Sequence, residues 1–271
     1  MVVDLFGNTY HPYTRKSPLK YPGGKWYARS IVRYYFPRIL TEIVSPFCGG
    51  AHIELSCAAD GIQVYAYDKF KDLINFWQQL QSHPESVWDK GGNYLVGIDT
   101  NEMFKAMLKL YDTLDCDLEK AALFYALRKS SYAGMGTGLM SQKRIRQGLR
   151  FPFRKGRPSV DILKTFYAPL IEFACADFED ALNNHPDIFA YLDPPYLIES
   201  ALYGKNGEMH KGFEHDRLCE VLRKRNTPWV LSYNNCDTIK QMYAGYRFEF
   251  PVWHQSLAKV SQGNEILIIS E

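Results

Sequence analysis

The tetrapeptide Asp193-Pro194-Pro195-Tyr196 directly follows the apolar run Ile188 to Leu192. Two consecutive prolines fix φ and remove two backbone donors, so the tetrapeptide should form a rigid turn at the end of a strand. The Asp193 carboxylate and the Pro194 carbonyl would then be two fixed acceptors for both hydrogens of an aromatic amino group. Such binding favours a pyramidal nitrogen whose lone pair faces a methyl donor, and the Tyr196 ring could stack on an extruded base. These four residues are the predicted catalytic set.

Two glycine turns could bring the backbone close to a ligand. Lys20-Tyr21-Pro22-Gly23-Gly24-Lys25 places a Pro-Gly-Gly turn before a predicted helix, with Lys25 available for a polar group. Ser45-Pro46-Phe47-Cys48-Gly49-Gly50 lies between the predicted strand Glu42 to Val44 and the next predicted helix, where glycine lets the chain pass a cofactor. Neither segment has the GxGxxG or GK[ST] pattern, which argues against a nicotinamide site and a P-loop.

Asp68 ends the next predicted strand, 18 residues after Gly50. Nucleoside-binding sheets place a carboxylate at about this position to bind ribose hydroxyls. The same side chain could cap the helix predicted to begin near Lys71. The two roles are compatible.

The elements that must position these residues are short apolar runs alternating with helical patterns, which favours an open, mainly parallel α/β sheet. The last two runs follow each other with no helix between them, which predicts a final hairpin with one antiparallel strand and a Rossmann-like sheet of seven strands. The predicted strands are Glu42 to Val44, Gln63 to Tyr67, Ile171 to Ala174, Ile188 to Leu192, Trp229 to Ser232, Phe248 to Val252 and Glu265 to Ile269. The predicted helices between them are Trp26 to Phe36, Ala51 to Ala59, Lys71 to Gln81 and Asp216 to Arg225.

The alternation breaks down between Leu80 and Pro169. This stretch has helical patterns at Met103 to Tyr111 and Leu118 to Lys129, and is then rich in glycine, arginine and lysine. We interpret it as an inserted second domain at residues 80–164, with residues 1–79 and 165–271 forming the first domain.

Positive charge is concentrated in the second half of this insertion. From Lys120 to Val160 there are ten lysines and arginines and no Asp or Glu, although the whole chain has a net charge of only +2. A run of positive charge without any acidic residue indicates a surface that binds phosphates. The alternative is a basic face that is simply exposed to solvent.

Composition excludes several classes of protein. Apolar residues make up 46% and charged residues 23%, which is typical of a globular protein. The six cysteines form no CxxC pair, so we expect neither a zinc site nor a disulfide framework. The first ten residues have no signal-peptide pattern, and no apolar run approaches the roughly 18 residues of a membrane span. We therefore expect a cytoplasmic protein with no metal and no membrane contact.

With these motifs in their order, the sequence resembles the Dam-like (alpha-group) DNA N6-adenine methyltransferases over nearly its whole length. The segments that carry the resemblance are Ser17 to Lys25, Pro46 to Gly50, Ala174 to Phe178 and Asp193 to Tyr196, together with Ala121 to Phe124 and Trp229 to Asn234.

The resemblance implies transfer of a methyl group from S-adenosylmethionine to a flipped adenine in double-stranded DNA, with S-adenosylhomocysteine as the other product. By resemblance, the cofactor pocket comprises Tyr21, Pro22, Gly23, Lys25, Pro46, Phe47, Cys48, Gly49, Asp68, Asp177, Phe178 and Asp193. The insertion becomes a mainly helical target-recognition domain whose basic β-hairpin, around Ser130 to Arg157, enters the major groove. The residues predicted to bind DNA are Arg128, Lys129, Tyr132, Lys143, Arg144, Arg146, Arg150, Arg154 and Lys155. A cognate restriction endonuclease and the oligomeric state are left open.

Two residues depart from the family pattern, because the family usually has an acid at the position of Ser45 and a small residue at that of His52. Four alternatives remain: methylation of cytosine N4, of RNA or of protein glutamine, and a non-catalytic DNA-binding protein with a degenerate methyltransferase fold. Methylation of cytosine C5 is disfavoured, because the sequence has no Pro-Cys dipeptide to supply a thiolate nucleophile.

Overall fold

The computed structural model describes residues 2–3, 9–10, 13–138, 140–141, 162–197, 212–251 and 265–270. Near the N-terminus, the strands β1 (Val2–Val3) and β2 (Thr9–Tyr10) pair in an antiparallel manner.

The centre of the structure is a seven-stranded sheet with the order β5-β4-β3-β6-β7-β9-β8. Neighbouring strands are parallel except at β9, which is antiparallel to both β7 and β8. The predicted α/β class and the predicted seven strands with one antiparallel member are thereby confirmed. The strands are β3 (Glu42–Ser45), β4 (Gln63–Asp68), β5 (Ile171–Cys175), β6 (Ala190–Leu192), β7 (Trp229–Asn234), β8 (Arg247–Glu249) and β9 (Glu265–Ile269).

The middle strands are apolar along their length because helices or loops cover both of their faces. All three residues of β6 are buried, as are the first five residues of β7. The order of the strands reverses between β3 and β6, which are neighbours in the sheet although the chain visits β4 and β5 between them. Ligands of such sheets bind in the crevice at this reversal, beyond the carboxyl ends of the strands.

Six of the helices for which the structure gives bounds lie close to predicted positions, and three were not predicted, those at Pro84–Gly97, Phe178–Asn184 and Asp237–Met242. The helices are α1 (Arg29–Tyr34), α2 (His52–Ala58), α3 (Lys71–Ser82), α4 (Pro84–Gly97), α5 (Asn101–Tyr111), α6 (Asp117–Ser130), α7 (Phe178–Asn184), α8 (His215–Lys224) and α9 (Asp237–Met242).

The two largest errors in the predicted boundaries are of three residues each. Helix α1 begins at Arg29 rather than Trp26, because a turn in which the Ala28 amide donates to the Lys25 carbonyl, at 3.0 Å, precedes it. Strand β8 ends at Glu249, short of the predicted Val252, and Pro251 has no amide hydrogen to donate to a ladder.

Helices α4 and α6, which belong to the predicted insertion, pack against α3, and α5 packs against α6. All three share one apolar cluster with the sheet. The ring of Phe76 in α3 stacks on that of Tyr125 in α6, with centroids 6.2 Å apart and planes inclined by 6°. The domain boundaries at residues 80 and 164 stay a prediction. In the predicted basic β-hairpin, the described residues form an antiparallel bridge between Ser131 and Met140 and a 3-10 helix, Tyr132–Gly134. Residues 139 and 142–161 lie outside the described residues.

None of the helices in the described part of the chain is both long and apolar enough to cross a membrane.

Candidate active site

The predicted catalytic tetrapeptide begins where β6 ends, at the carboxyl edge of the sheet and beside the reversal in strand order. Pro194 is buried, whereas Pro195 and Tyr196 are half-buried. The Asp193 side chain keeps 21% of its surface exposed. Its carboxylate is therefore both anchored in the protein and accessible from the crevice.

Lys25, predicted to serve the cofactor, extends its buried ammonium to the catalytic tetrapeptide. Its Nζ lies 3.1 Å from Asp193 Oδ1, 3.1 Å from Glu265 Oε2 and 2.5 Å from the Tyr196 hydroxyl. The Tyr196 hydroxyl donates in turn to Glu265 Oε2, at 2.7 Å. We call these four residues the clamp cluster.

The charges in the clamp cluster follow from burial and from its ion pairs. Burial raises the pKa of Asp193 to about 6; Lys25 opposes this rise and Glu265 adds to it. Burial alone would lower the pKa of Lys25, but the carboxylates of Asp193 and Glu265 outweigh burial and raise it. At neutral pH the cluster therefore holds one ammonium and an ionised Asp193.

Glu265 is a member of this site that sequence reasoning missed. It begins β9 and pairs across the sheet with Asn234 of β7. Its only signal in the sequence is a single charged residue at the start of the apolar run Glu265 to Ile269.

The unusual Ser45 forms a hydrogen bond with a second acid that was not predicted. Its hydroxyl donates to Glu54 Oε1 at 2.6 Å, and both residues are buried. Burial raises the pKa of Glu54 to about 7; the bond from Ser45 lowers it, and the charge of Asp193 raises it further. The chain therefore has no acid at position 45, but the residue at that position is hydrogen-bonded to a buried acid in helix α2.

The other unusual residue, His52, lies between the two glycine turns. A Cβ atom added to Gly24 would lie 2.6 Å from the His52 ring, and one added to Gly50 would lie 2.8 Å from it. Burial, assisted by the charge of Lys25, lowers the pKa of His52 to about 4, so the imidazole is neutral at neutral pH. His52 therefore joins the two turns by packing.

The second glycine turn is hydrogen-bonded to Asp68. The Gly49 amide donates to Asp68 Oδ2 at 3.1 Å, and the Phe70 amide donates to Asp68 Oδ1 at 3.0 Å. Gly49 has a φ of +45°, and the Tyr21 ring lies 3.4 Å from the place its Cβ would take. Helix α3 has Phe70 as its N-cap, so the alternative of Asp68 as the N-cap is wrong.

Three phenylalanine rings form an apolar wall near the same edge. The ring centroids of Phe47, Phe178 and Phe213 are 5.6 to 5.8 Å apart, and Phe213 was not among the predicted residues. Asp177 caps helix α7 by accepting a hydrogen bond from the Glu179 amide at 3.2 Å. Its carboxylate also forms ion pairs with Arg217 and Lys69.

The remaining predicted cofactor residues lie on the two turns. Pro22 is half-buried, and Gly23 is exposed with a φ of +74°. Pro46 and Cys48 are buried, and the Cys48 amide donates to the Tyr67 carbonyl at 2.8 Å.

A profile of the D12 class N6 adenine-specific DNA methyltransferases matches residues 21–257. The chain belongs to this family. The sequence is also 27% identical, over 213 residues, to modification methylase StsI of Streptococcus sanguinis; the match covers 71% of this chain but only 30% of that relative. Among solved structures, a precorrin-6y C5,15-methyltransferase from Geobacter metallireducens is 11% identical, with a TM-score of 0.39 over 89% of this chain and 86% of that one.

Three of the residues that should contact DNA in a member of this family lie in the described part of the chain. Arg128 is buried; its guanidinium lies 4.8 Å from the ring centroids of Tyr21 and Phe124, and it donates to the Gly134 carbonyl at 3.0 Å. It would have to leave these contacts to reach a phosphate.

The other two described residues lie nearer the surface. Lys129 is half-buried, and burial together with the nearby Lys20 and Lys16 lowers its pKa. Tyr132 is 63% exposed. The other six predicted DNA-binding residues lie outside the described residues, and they are Lys143, Arg144, Arg146, Arg150, Arg154 and Lys155.

Proposed function

We propose that this protein transfers a methyl group from S-adenosylmethionine to the N6 amino group of an adenine flipped out of duplex DNA, at a specific site. The observation that carries the proposal is the Asp193 carboxylate, fixed between β6 and two prolines at the reversal of strand order and held against the buried ammonium of Lys25. Membership of the family supports adenine as the base and DNA as the nucleic acid.

Asp193 and the Pro194 carbonyl would each accept a hydrogen of the target amino group. This draws the nitrogen lone pair out of conjugation and makes the amine a better nucleophile. S-adenosylmethionine would supply the methyl group from its sulfonium, and its sulfur would keep the electrons of the broken S–C bond. The new N–C bond uses the nitrogen lone pair, and Asp193 accepts the proton that leaves the nitrogen and passes it to water.

Tyr196 would provide the ring on which the extruded adenine stacks. Its hydroxyl bonds to Glu265 and Lys25 restrict rotation of the ring. The base would therefore meet a surface that is ordered before it arrives.

The proposed cofactor site has features that fit an adenosyl group. The Gly49 turn approaches without a side chain, and the half-buried ring of Phe47, packed against the buried Phe178, would contact a purine. Asp68 binds two amides but retains lone pairs that can accept ribose hydroxyls. Tyr21, Pro22, Gly23, Pro46 and Cys48 would complete the walls, and Asp177 would border the adenine ring.

For DNA we propose that Lys129, Tyr132 and the basic segment that follows them form the recognition surface within residues 80–164. Arg128 would support the surface from beneath through its bond to Gly134. The relative from Streptococcus sanguinis is called a modification methylase, which supports a place for this chain in a restriction-modification system.

The test is transfer of labelled methyl from S-adenosylmethionine to unmethylated duplex DNA, with single-stranded DNA, RNA and a glutamine-containing protein as competing substrates. Label in N6-methyladenine from duplex DNA is the expected result. Asp193→Ala should abolish the transfer. Asp187 is an exposed carboxylate that precedes the first residue of β6, and Asp187→Ala should leave the transfer unchanged. Label in N4-methylcytosine, RNA or protein would replace the proposal with that alternative, and DNA binding without any transfer would indicate a non-catalytic protein.

A further inference from the structure

The buried ammonium of Lys25 is shared between two carboxylates, and only one of them belongs to the catalytic tetrapeptide. Its distance to Glu265 Oε2 equals its distance to Asp193 Oδ1, at 3.1 Å. Glu265 enters from the antiparallel strand β9, on the other side of β7 from Asp193. A salt bridge between Lys25 and Asp193 alone would need no second buried acid, and the desolvation of a carboxylate is costly.

The titratable and charged groups that face Asp193 come from four parts of the fold. They are Lys25 before α1, Glu54 in α2, Tyr191 in β6 with the neighbouring Tyr196, and Glu265 in β9. Lys25, Asp193 and Glu265 together comprise one ammonium and two carboxyl groups, an excess of one acidic group. Without Glu265 the ammonium would neutralise Asp193 and leave no net charge.

This balance matters for the proposed reaction, on which the following inference rests. A positive charge moves from the sulfonium to the target nitrogen as the N–C bond forms. A site with a net negative charge stabilises that developing cation, whereas a neutral ion pair does so less.

We propose that Glu265 is a positioning residue that draws Lys25 and the Tyr196 hydroxyl toward β9, and so leaves the Asp193 carboxylate enough negative charge to act on the amino group. Glu265 touches neither the base nor the cofactor in this scheme. It acts through Lys25, with which it forms an ion pair, and through Tyr196, from which it accepts a hydrogen bond.

Glu265→Gln tests the charge with little change in shape, since the amide oxygen can still accept from Tyr196. We expect kcat to fall roughly 10- to 100-fold, with the KM values for DNA and S-adenosylmethionine within about twofold of wild type. The acid limb of the pH profile of kcat should move to lower pH, because Glu265 no longer raises the pKa of Asp193. Glu172→Gln, an exposed acid on β5, is the matched control and should behave as wild type.

A double variant separates charge balance from packing. Lys25→Met leaves two carboxylates without their cation, so one of them should take up a proton and kcat should collapse. Lys25→Met combined with Glu265→Gln restores one net negative charge, and we expect it to be at least about 10-fold faster than Lys25→Met alone. The proposal would be overturned if the loss of kcat in the double variant equalled the product of the losses in the two single variants. A wild-type kcat and pH profile for Glu265→Gln would also overturn it.

Thermal unfolding of each variant shows whether it is folded. If Glu265→Gln does not fold, Glu265→Asp is the replacement test, because its shorter side chain cannot reach both Lys25 and Tyr196. A wild-type kcat for Glu265→Asp would overturn the proposal. A wild-type protein inactive on every substrate would refute the proposed function, whereas an active one with unaffected Glu265 variants refutes only this inference.

Discussion

Replacing Glu54 by glutamine should make the free energy of unfolding less dependent on pH. Glu54 is buried 2.6 Å from the Ser45 hydroxyl, and burial raises its pKa from the ordinary value of 4.5 to about 7. A carboxyl group with a raised pKa in the folded state stabilises the fold fully below pH 4.5. That stability is lost as the pH rises through 7, because the unfolded chain ionises first.

The size of the effect follows from the shift. A rise in pKa from 4.5 to about 7 corresponds to about 3 kcal/mol of folding free energy, since each pH unit is worth about 1.4 kcal/mol. Glutamine mimics the protonated acid and keeps an oxygen that can accept from Ser45. The variant should match the wild type near pH 4 and exceed its stability by about 3 kcal/mol at pH 8.

The assay is urea unfolding of wild type and Glu54→Gln at intervals from pH 4 to pH 8. Asp193 also titrates in this range, but both proteins contain it, so most of its contribution cancels in the difference. Glu172→Gln makes the same chemical change at an exposed position of β5 and controls for the loss of a surface carboxylate. A difference between Glu54→Gln and wild type that stayed constant, or shrank with rising pH, would refute this account of the buried acid.

Three other results are expected. The pH profile of kcat should fall below about pH 6, because Asp193 must be ionised to accept amino hydrogens; a profile flat to pH 5 would contradict its pKa. Arg128→Met should lower the free energy of unfolding by about 2 kcal/mol and leave the salt dependence of DNA binding unchanged. Lys129→Ala should weaken the salt dependence of DNA binding, which titrations at several salt concentrations would measure. Gly24→Ala should lower the free energy of unfolding, measured with urea, by about 1–3 kcal/mol in wild type and by much less in a His52→Ala background. Equal losses in the two backgrounds would mean that the His52 ring is not the obstacle.

The sequence predicted those parts of the fold that depend on local pattern. The continuous apolar runs of β6 and β7 are readable because both faces of a central strand are buried. The turn at Asp193 was predictable because two prolines restrict the backbone whatever surrounds them. Helix starts were less certain, and at Lys25 a single hydrogen-bonded turn moved the start of α1 by three residues.

By itself, the sequence determined the family, the α/β class and the position of the proposed catalytic carboxylate, since each depends on short motifs or on the period of apolar residues. Only the tertiary structure decided which charged groups surround that carboxylate. Asp193, Lys25 and Glu265 lie far apart in the chain, and they meet because the strand order reverses between β3 and β6 and because β9 inserts beside β7. The period of a pattern tells which face of a strand is buried, but not which strand will be its neighbour.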